Sequence, residues 1–466
     1  MSRLIKNLFA LIPAFTYRRS HLAPPVQEPL LANNAADSTV ILGAGIIGLS
    51  TAYSLSEMSK QTIYIVDPAS KACVGASGQC EGAIGDFGVE NELSPLNQLS
   101  YELYQQLAEQ QSGKETFGYS GMDVHALSSH GFNSSDPHLP WPVQEPEDIS
   151  NLPAWLKVPR GWVAGLIANQ THCARLDPPK FCRFLQKECE SRGVRFLFNT
   201  TALSAATDAS RRTLTGIKVL NKGSKKAMNI PCKNIVISAG SWSEKVFSTL
   251  FPSSRLRIPS TEQQPAQDWI RLKIKKPRRS EAGTKGSCQQ IWLSADSEDL
   301  DIHMSSFLDG EFYAAGGFVD LSDIPDTPDK VTSPSHVTDI IEQNTREFLA
   351  LGLGETVQAV GSGRALLPRL TTNLPIMAKA AWDDLFPSKT KLQEHSSPIA
   401  ARPVGDDSDV AGGVFVSTGH YLDGFALGPA SGKVVSELIT GQSPSVDLSN
   451  FGFPKADEES GDSRDN

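Results

Sequence analysis

Apolar residues along the chain fall into short blocks punctuated by glycine. Ser38-Thr39-Val40-Ile41-Leu42 has the length and β-branching of a strand buried on both faces. Gly43-Ala44-Gly45-Ile46-Ile47-Gly48 follows directly, and Leu49 to Leu55 then reads as helix. Thr62-Ile63-Tyr64-Ile65-Val66-Asp67 is a second buried strand that ends in an acid. Together they make a βαβ unit of about 30 residues. Leu96, Leu99, Leu103 and Leu107 recur at helical spacing between Pro95 and Gln110. Pro178 to Arg192 predicts another helix, followed by the strand Val194 to Phe198. Ile235 to Gly240 is a further buried strand closing at a glycine, whereas the Pro- and Trp-rich stretch from Trp141 to Trp162 predicts irregular structure.

The glycine turn carries the first chemistry. Gly43 suits the tight turn, Gly45 lets the backbone approach a pyrophosphate, and Gly48 lets helix and strand close on each other. The helix that starts across Ala44, Ile46 and Ile47 offers free N–H groups and positive dipole potential to phosphates. Asp67 is placed to accept hydrogen bonds from ribose hydroxyls, and its charge disfavours a 2′-phosphate. A bound dinucleotide is the reading of this segment.

Several later blocks resemble the D-amino-acid oxidase superfamily of FAD-dependent oxidoreductases. Gly75-Ala76-Ser77-Gly78-Gln79-Cys80-Glu81-Gly82 resembles its small-residue loop around the pyrophosphate, which implies that Ser77, Gly78 and Gln79 approach the cofactor. Leu176-Asp177-Pro178-Pro179 resembles the segment before its returning helix. Ile235 to Ser243, with Ala239, Gly240 and Trp242, resembles its strand–small–Gly–x–Trp–Ser element. Val414 to Lys433 resembles its last strand, turn and helix. That resemblance implies flavin contacts from Gly419, Leu422, Asp423, Gly424 and Phe425. Gly310 to Gly317 resembles a strand of the substrate sheet, and Leu367 to Ile376 the Arg-Pro-containing element of many relatives. Here Leu367 replaces the arginine, and Thr372-Asn373 replaces an Asp-Gly pair. Within the superfamily the chain is most similar to fungal oxidoreductases related to bacterial glycine/D-amino-acid oxidase-like proteins.

The resemblance implies an α/β (α+β overall) architecture, a Rossmann-type FAD-binding domain interleaved with an antiparallel-sheet substrate domain. Residues 38–95, 166–250 and 410–445 are expected in the first domain. Residues 96–165 and 251–409 are expected in the second, with a polar insertion at about 384–409. Residues 1–37 form an extension, and 446–466 an acidic tail. The implied reaction is oxidation of a CH–NH bond by hydride transfer to flavin, with O2 or another acceptor taking the electrons. Arg369 and Arg364 are the candidate carboxylate anchors, Tyr313 a substrate hydrogen-bonding group, and His420 a partner for negative charge on reduced flavin. No Cys or His matches a covalent tether, so FAD is expected to be non-covalent. A tailoring oxidase or dehydrogenase acting on a larger substrate, and a flavin-bearing interaction or trafficking protein, are the alternative readings.

Composition narrows the classes. The 466 residues carry 43 Lys+Arg against 52 Asp+Glu, a formal charge of −9, which disfavours a general nucleic-acid binder. No apolar run is long enough to span a bilayer. Seven scattered cysteines, with no CxxC, predict no metal site and mostly inert thiols of a reducing compartment. Arg3, Lys6, Arg18 and Arg19 lie in an acid-free N-terminus. That pattern is compatible with a mitochondrial transit segment, a secretory signal or a simple extension, so the expected location is cytoplasmic or mitochondrial. Arg271 to Lys285 holds seven bases and one acid, read as a solvated loop or an anion- or membrane-facing patch.

Overall fold

The computed structural model describes residues 38–85, 87, 90–132, 139, 141–210, 212–275, 287–295, 302–387 and 412–454. The N-terminal extension, the basic residues from 276 to 285, most of the polar insertion and the tail from residue 455 lie outside them. Thirteen elements build and frame the site. The first are β1 (Ser38–Leu42), α1 (Ile46–Met58), β2 (Thr62–Val66) and α2 (Ala76–Gln79). Next come α3 (Ser94–Gln110), α4 (Pro178–Ser191), β3 (Asn234–Ile237) and β4 (Gln264–Lys275). The chain continues through β5 (Glu311–Leu321), β6 (Thr356–Leu366), β7 (Ile376–Ala380), β8 (Gly413–Thr418) and α5 (Gly428–Thr440).

Six strands form the nucleotide sheet, in the order β7, β8, β3, β1, β2 and Arg195–Leu197. All neighbours run parallel except β7, which pairs antiparallel with β8 at the edge. Every residue of β1, β3 and β8 is buried, as the continuous apolar runs require of a sheet covered on both faces. One face is covered by α1, α4 and α5, through Leu49, Phe181 and Val435. On the other face Phe247 and Phe251 pack with Ile217 and Val219 of a three-stranded antiparallel sheet. That smaller sheet is built by Thr200–Asp208, Thr213–Asn221 and Lys226–Ile230.

The large second sheet runs β6, β4, β5, Ile302–Ser306, Cys288–Ser294, Ser120–Ser128, Val163–Ala168 and Glu145–Glu147, with two short strands off this path. It is antiparallel apart from one pair: Cys288–Ser294 runs parallel to Ser120–Ser128. The stretch read as irregular therefore contributes the strand Glu145–Glu147.

Several segments sit away from the unit to which their sequence position assigned them: residues 446–451, expected in the acidic tail, bury Val446, Leu448 and Phe451 beside Leu96, and Cys173–Arg175 pairs with Ser120–Ser128. β7 belongs to the nucleotide sheet, where Ile376 and Met377 are fully buried. Likewise α3 packs on α5, with Leu96 in one cluster with Leu427, Ala430 and Val434. The buried face of α3 is Leu96, Ser100, Tyr104 and Leu107, about one residue round from the leucine stripe. Polar groups on that face explain the rotation. Tyr104 donates its hydroxyl to the Phe425 carbonyl (2.6 Å), and Ser100 to the Ala426 carbonyl (2.5 Å).

Cys73 and Cys182 form a disulfide between the loop after β2 and α4, a departure from the expected mostly inert thiols of a reducing compartment. The other five cysteines are free, four of them buried. Among the described residues no helix is long and apolar enough to cross a membrane, and no His/Cys/Asp/Glu group could hold a metal ion.

Candidate active site

A cavity of about 270 Å³ opens where β1, β2, β3 and β8 end, the crevice that open α/β sheets use for ligands. Gly43 takes φ +115°, and a Cβ there would sit 2.3 Å from the Ser238 carbonyl oxygen. A Cβ on Gly48 would come within 2.0 Å of the Gly43 oxygen, so α1 can meet the turn only through a glycine. Gly45 caps α1 without a side-chain bond, and its ideal Cβ would lie 3.2 Å from Ser77 Oγ.

Asp67 organises the turn. Its two oxygens accept the amides of Ala44 (2.7 Å) and Ala69 (2.8 Å), while burial still raises its carboxyl above the ordinary range. The Ile46 amide donates to Ser77 Oγ (3.0 Å), joining α2 to the start of α1. Along the cavity run Ala239, Gly240, Trp242, Gly419, His420, Leu422, Gly424 and Phe425. Trp242 is fixed by donating to the Pro325 carbonyl (2.7 Å), and Gly240 takes φ +56° beside open space. Ser241 and Ser417 also line the cavity, and their hydroxyls are buried without a hydrogen-bond partner.

These features fit a flavin dinucleotide: a glycine cradle at a helix N-terminus, a carboxylate beside it, and orphaned hydroxyls on residues of the cavity wall. The sequence profile of the FAD dependent oxidoreductase family matches residues 38–438. The chain belongs to this family. A Pseudomonas aeruginosa glycine oxidase is 22% identical over 426 residues, covering 88% of this chain and 97% of its own. A Schizosaccharomyces pombe protein described as an oxidoreductase is 22% identical over 416 residues, covering 86% and 93%. Among solved structures, L-amino acid deaminase from Proteus myxofaciens superposes with a TM-score of 0.63 at 16% identity, covering 90% and 93%. Glycine oxidase from Bacillus cereus gives 0.61 at 17%, covering 90% and 98%.

Not every expected residue of this FAD-dependent oxidoreductase meets the cavity. Ala44, Gly48, Gly78, Gln79 and Asp423 are not among the lining residues. Gly78 packs against the Cys73 backbone. Gln79 turns to the large sheet instead: its side-chain oxygen accepts from Trp269 Nε1 (3.1 Å), and its carbonyl accepts from Tyr313 OH (3.1 Å). Tyr313 is thus buried and committed to the α2 loop rather than free for a substrate. Asp423 is exposed to solvent yet crowded by protein, which pushes its carboxyl up to about 6.

The two arginines are also engaged. Arg364 forks the fully buried Asp268 across β4 and β6, at 2.9 and 2.7 Å. Arg369 donates Nε to Asn373 Oδ1 (3.0 Å) and lies over the Tyr421 ring, outside the lining. His420 does line the cavity, but burial lowers its pKa to about 3, and its Nε2 meets Ser431 Oγ at 3.0 Å. It is a neutral imidazole rather than a cation.

Sequence reasoning missed the far wall: Thr200, Thr201 and Ala202, Lys245, and Tyr421 with φ +48°. A non-glycine residue at positive φ carries no sequence signal, although it often marks a functional turn. It also missed the network that holds the α2 loop. Glu81 accepts from Gln290 Nε2 (2.7 Å) and Ser305, and meets His303 Nε2 at 3.1 Å. Arg175, fully buried, donates to the Glu81 carbonyl (3.0 Å) and the Ser306 carbonyl (2.8 Å). Of the basic cluster, Arg271 pairs with Asp177 (3.5 Å), and Lys273 with Glu311 (3.4 Å). Their charges are matched within the fold.

Proposed function

We propose that this FAD-dependent oxidoreductase oxidises a CH–NH bond of an amine or amino-acid-like donor, and that its FAD is held non-covalently. Bound FAD supplies the hydride acceptor. The chain supplies placement. The α1 N-terminus and Asp67 take the dinucleotide end, and the Gly419–Phe425 turn takes the other end, beside the close of β6. The observation that carries the choice of donor is the state of His420. Oxidising a CH–OH bond by hydride transfer calls for a base to take the hydroxyl proton, whereas an amine that binds as its free base, its proton left to solvent, needs only its own nitrogen lone pair. The titratable side chains lining that end are His420, an imidazole of very low basicity already bonded to Ser431, and Tyr421, whose phenol is held protonated by burial. That favours an amine.

The test is anaerobic bleaching of the visible flavin band by a panel of amines, amino acids and 2-hydroxy acids. Reduction by CH–NH donors is expected. Reduction by hydroxy acids alone would overturn the reading. Acid precipitation should leave FAD in the supernatant, and FAD retained on the pellet would reveal a covalent link. Gly45→Val is the control for the site. The added methyl groups have Ser77 Oγ in their way, so the variant should purify colourless, and stoichiometric FAD in it would contradict the cradle.

A further inference from the structure

No Lys or Arg side chain lines the end of the cavity next to β6. Its wall is formed by Leu366, Leu367 and Pro368 and by Tyr421 and Leu422 of the turn. These segments are one unit, because the Tyr421 amide donates to the Pro368 carbonyl (2.9 Å) and the Leu367 amide to the Pro265 carbonyl (2.8 Å). Both arginines of the neighbourhood are turned to other partners, Arg364 to Asp268 and Arg369 to Asn373 and the Tyr421 ring. Lys245 is the one Lys or Arg among the described lining residues, and it is paired with Asp326 (2.9 Å). It sits on the Ser243–Leu250 helix, which packs on the Thr200–Asp208 strand, away from β6.

We infer that the donor is an amine with no carboxylate on its reacting carbon and with an apolar flank against Leu367 and Leu422. This rests on the CH–NH reading above. A carboxylate brought to that wall would give up water and meet no cation within the lining, since Arg369 lies behind the Tyr421 ring; that is costly, whereas an apolar flank gains from the same burial.

Two ring ligands of like shape, benzoate and benzamide, separate charge from size. Titrated into the holoenzyme and followed through the flavin spectrum, benzamide should bind at least about tenfold more tightly. Benzoate binding as tightly as benzamide would overturn the inference. Leu422→Arg places a cation at an exposed position that has room for it, and Leu367→Arg places one at a buried position. The FAD-loaded Leu422→Arg protein should gain about tenfold or more in benzoate affinity. Unchanged benzoate affinity would remove that wall from the donor end. In anaerobic reduction, N-methylbenzylamine should outpace both enantiomers of N-methylphenylglycine, and the reverse order would again overturn the inference. If neither donor class reduces the flavin, the CH–NH reading falls, while the benzoate–benzamide comparison still decides the charge preference.

Discussion

His420 shows how one residue couples burial to pH. Its ordinary pKa of 6.5 falls to about 3 in the folded protein. The native state is therefore the poorer proton binder between these values. The contribution is fully present above 6.5 and is lost as pH falls toward 3, by about 1.4 kcal/mol per pH unit. His420→Gln, which keeps a polar group toward Ser431, should show a shallower loss of Tm between about pH 7 and pH 5 than the parent. A parallel pH dependence in both proteins would contradict the assignment. At this scale the glycine fingerprint and Asp67 were legible because covalent geometry leaves few alternatives at a tight turn. The roles of Arg364 and Tyr313 were not. Asp268 lies 96 positions from Arg364, and Gln79 lies 234 from Tyr313, so only the fold could reveal that each side chain was taken.

Elements whose signal is local were readable, and elements defined by a partner were not. β1, β2 and β3 announced themselves as apolar runs, since burial on both faces leaves no polar alternation to interpret. β7 looked like part of a motif because its partner, β8, lies beyond a long insertion. The pairing of β4 with β6 is likewise written in no local pattern, yet the Arg364–Asp268 fork fixes one point of its register. Arg364→Ala should cost about 3 kcal/mol or more, because it leaves Asp268 buried with no counter-charge. Replacing both residues with apolar ones of similar volume should recover most of that loss. Chemical denaturation of the single and double variants measures both, and an additive double variant would show that the pair is not coupled. The disulfide between the post-β2 loop and α4 gives a chemical count. Alkylation of the denatured, unreduced protein should label five of the seven cysteines, and seven labels would mean that Cys73 and Cys182 are thiols.

For the whole molecule, the sheet architecture bears on where the electrons go. Among the described residues, β1 to β2 is the one strand–glycine turn–helix unit of the dinucleotide type. Gly361-Ser362-Gly363, the nearest second candidate in sequence, lies inside β6, paired with β4. A second nucleotide site of that type therefore has no structural basis there. Enzyme reduced by its donor should reoxidise in air and leave NAD+ and NADP+ unchanged when mixed anaerobically. Stoichiometric growth of the nicotinamide absorbance would contradict this. The two-sheet arrangement was expected from family order, but the position of α3 was not, since helices packed on a sheet face carry no label for which sheet they cover.

The strand order of the nucleotide sheet also sets a timetable. β3 lies between β1, near the start of the chain, and β8, near its end. During synthesis the first βαβ unit leaves the ribosome long before β8 and α5, which cover Leu49 and close the cavity. Until then the early glycine turn has a nascent apolar surface and lacks the Gly419–Phe425 side of the cavity. Loading of the cofactor thus becomes an event of the finished chain, and a product cut short before Gly413 should emerge colourless and in need of a chaperone.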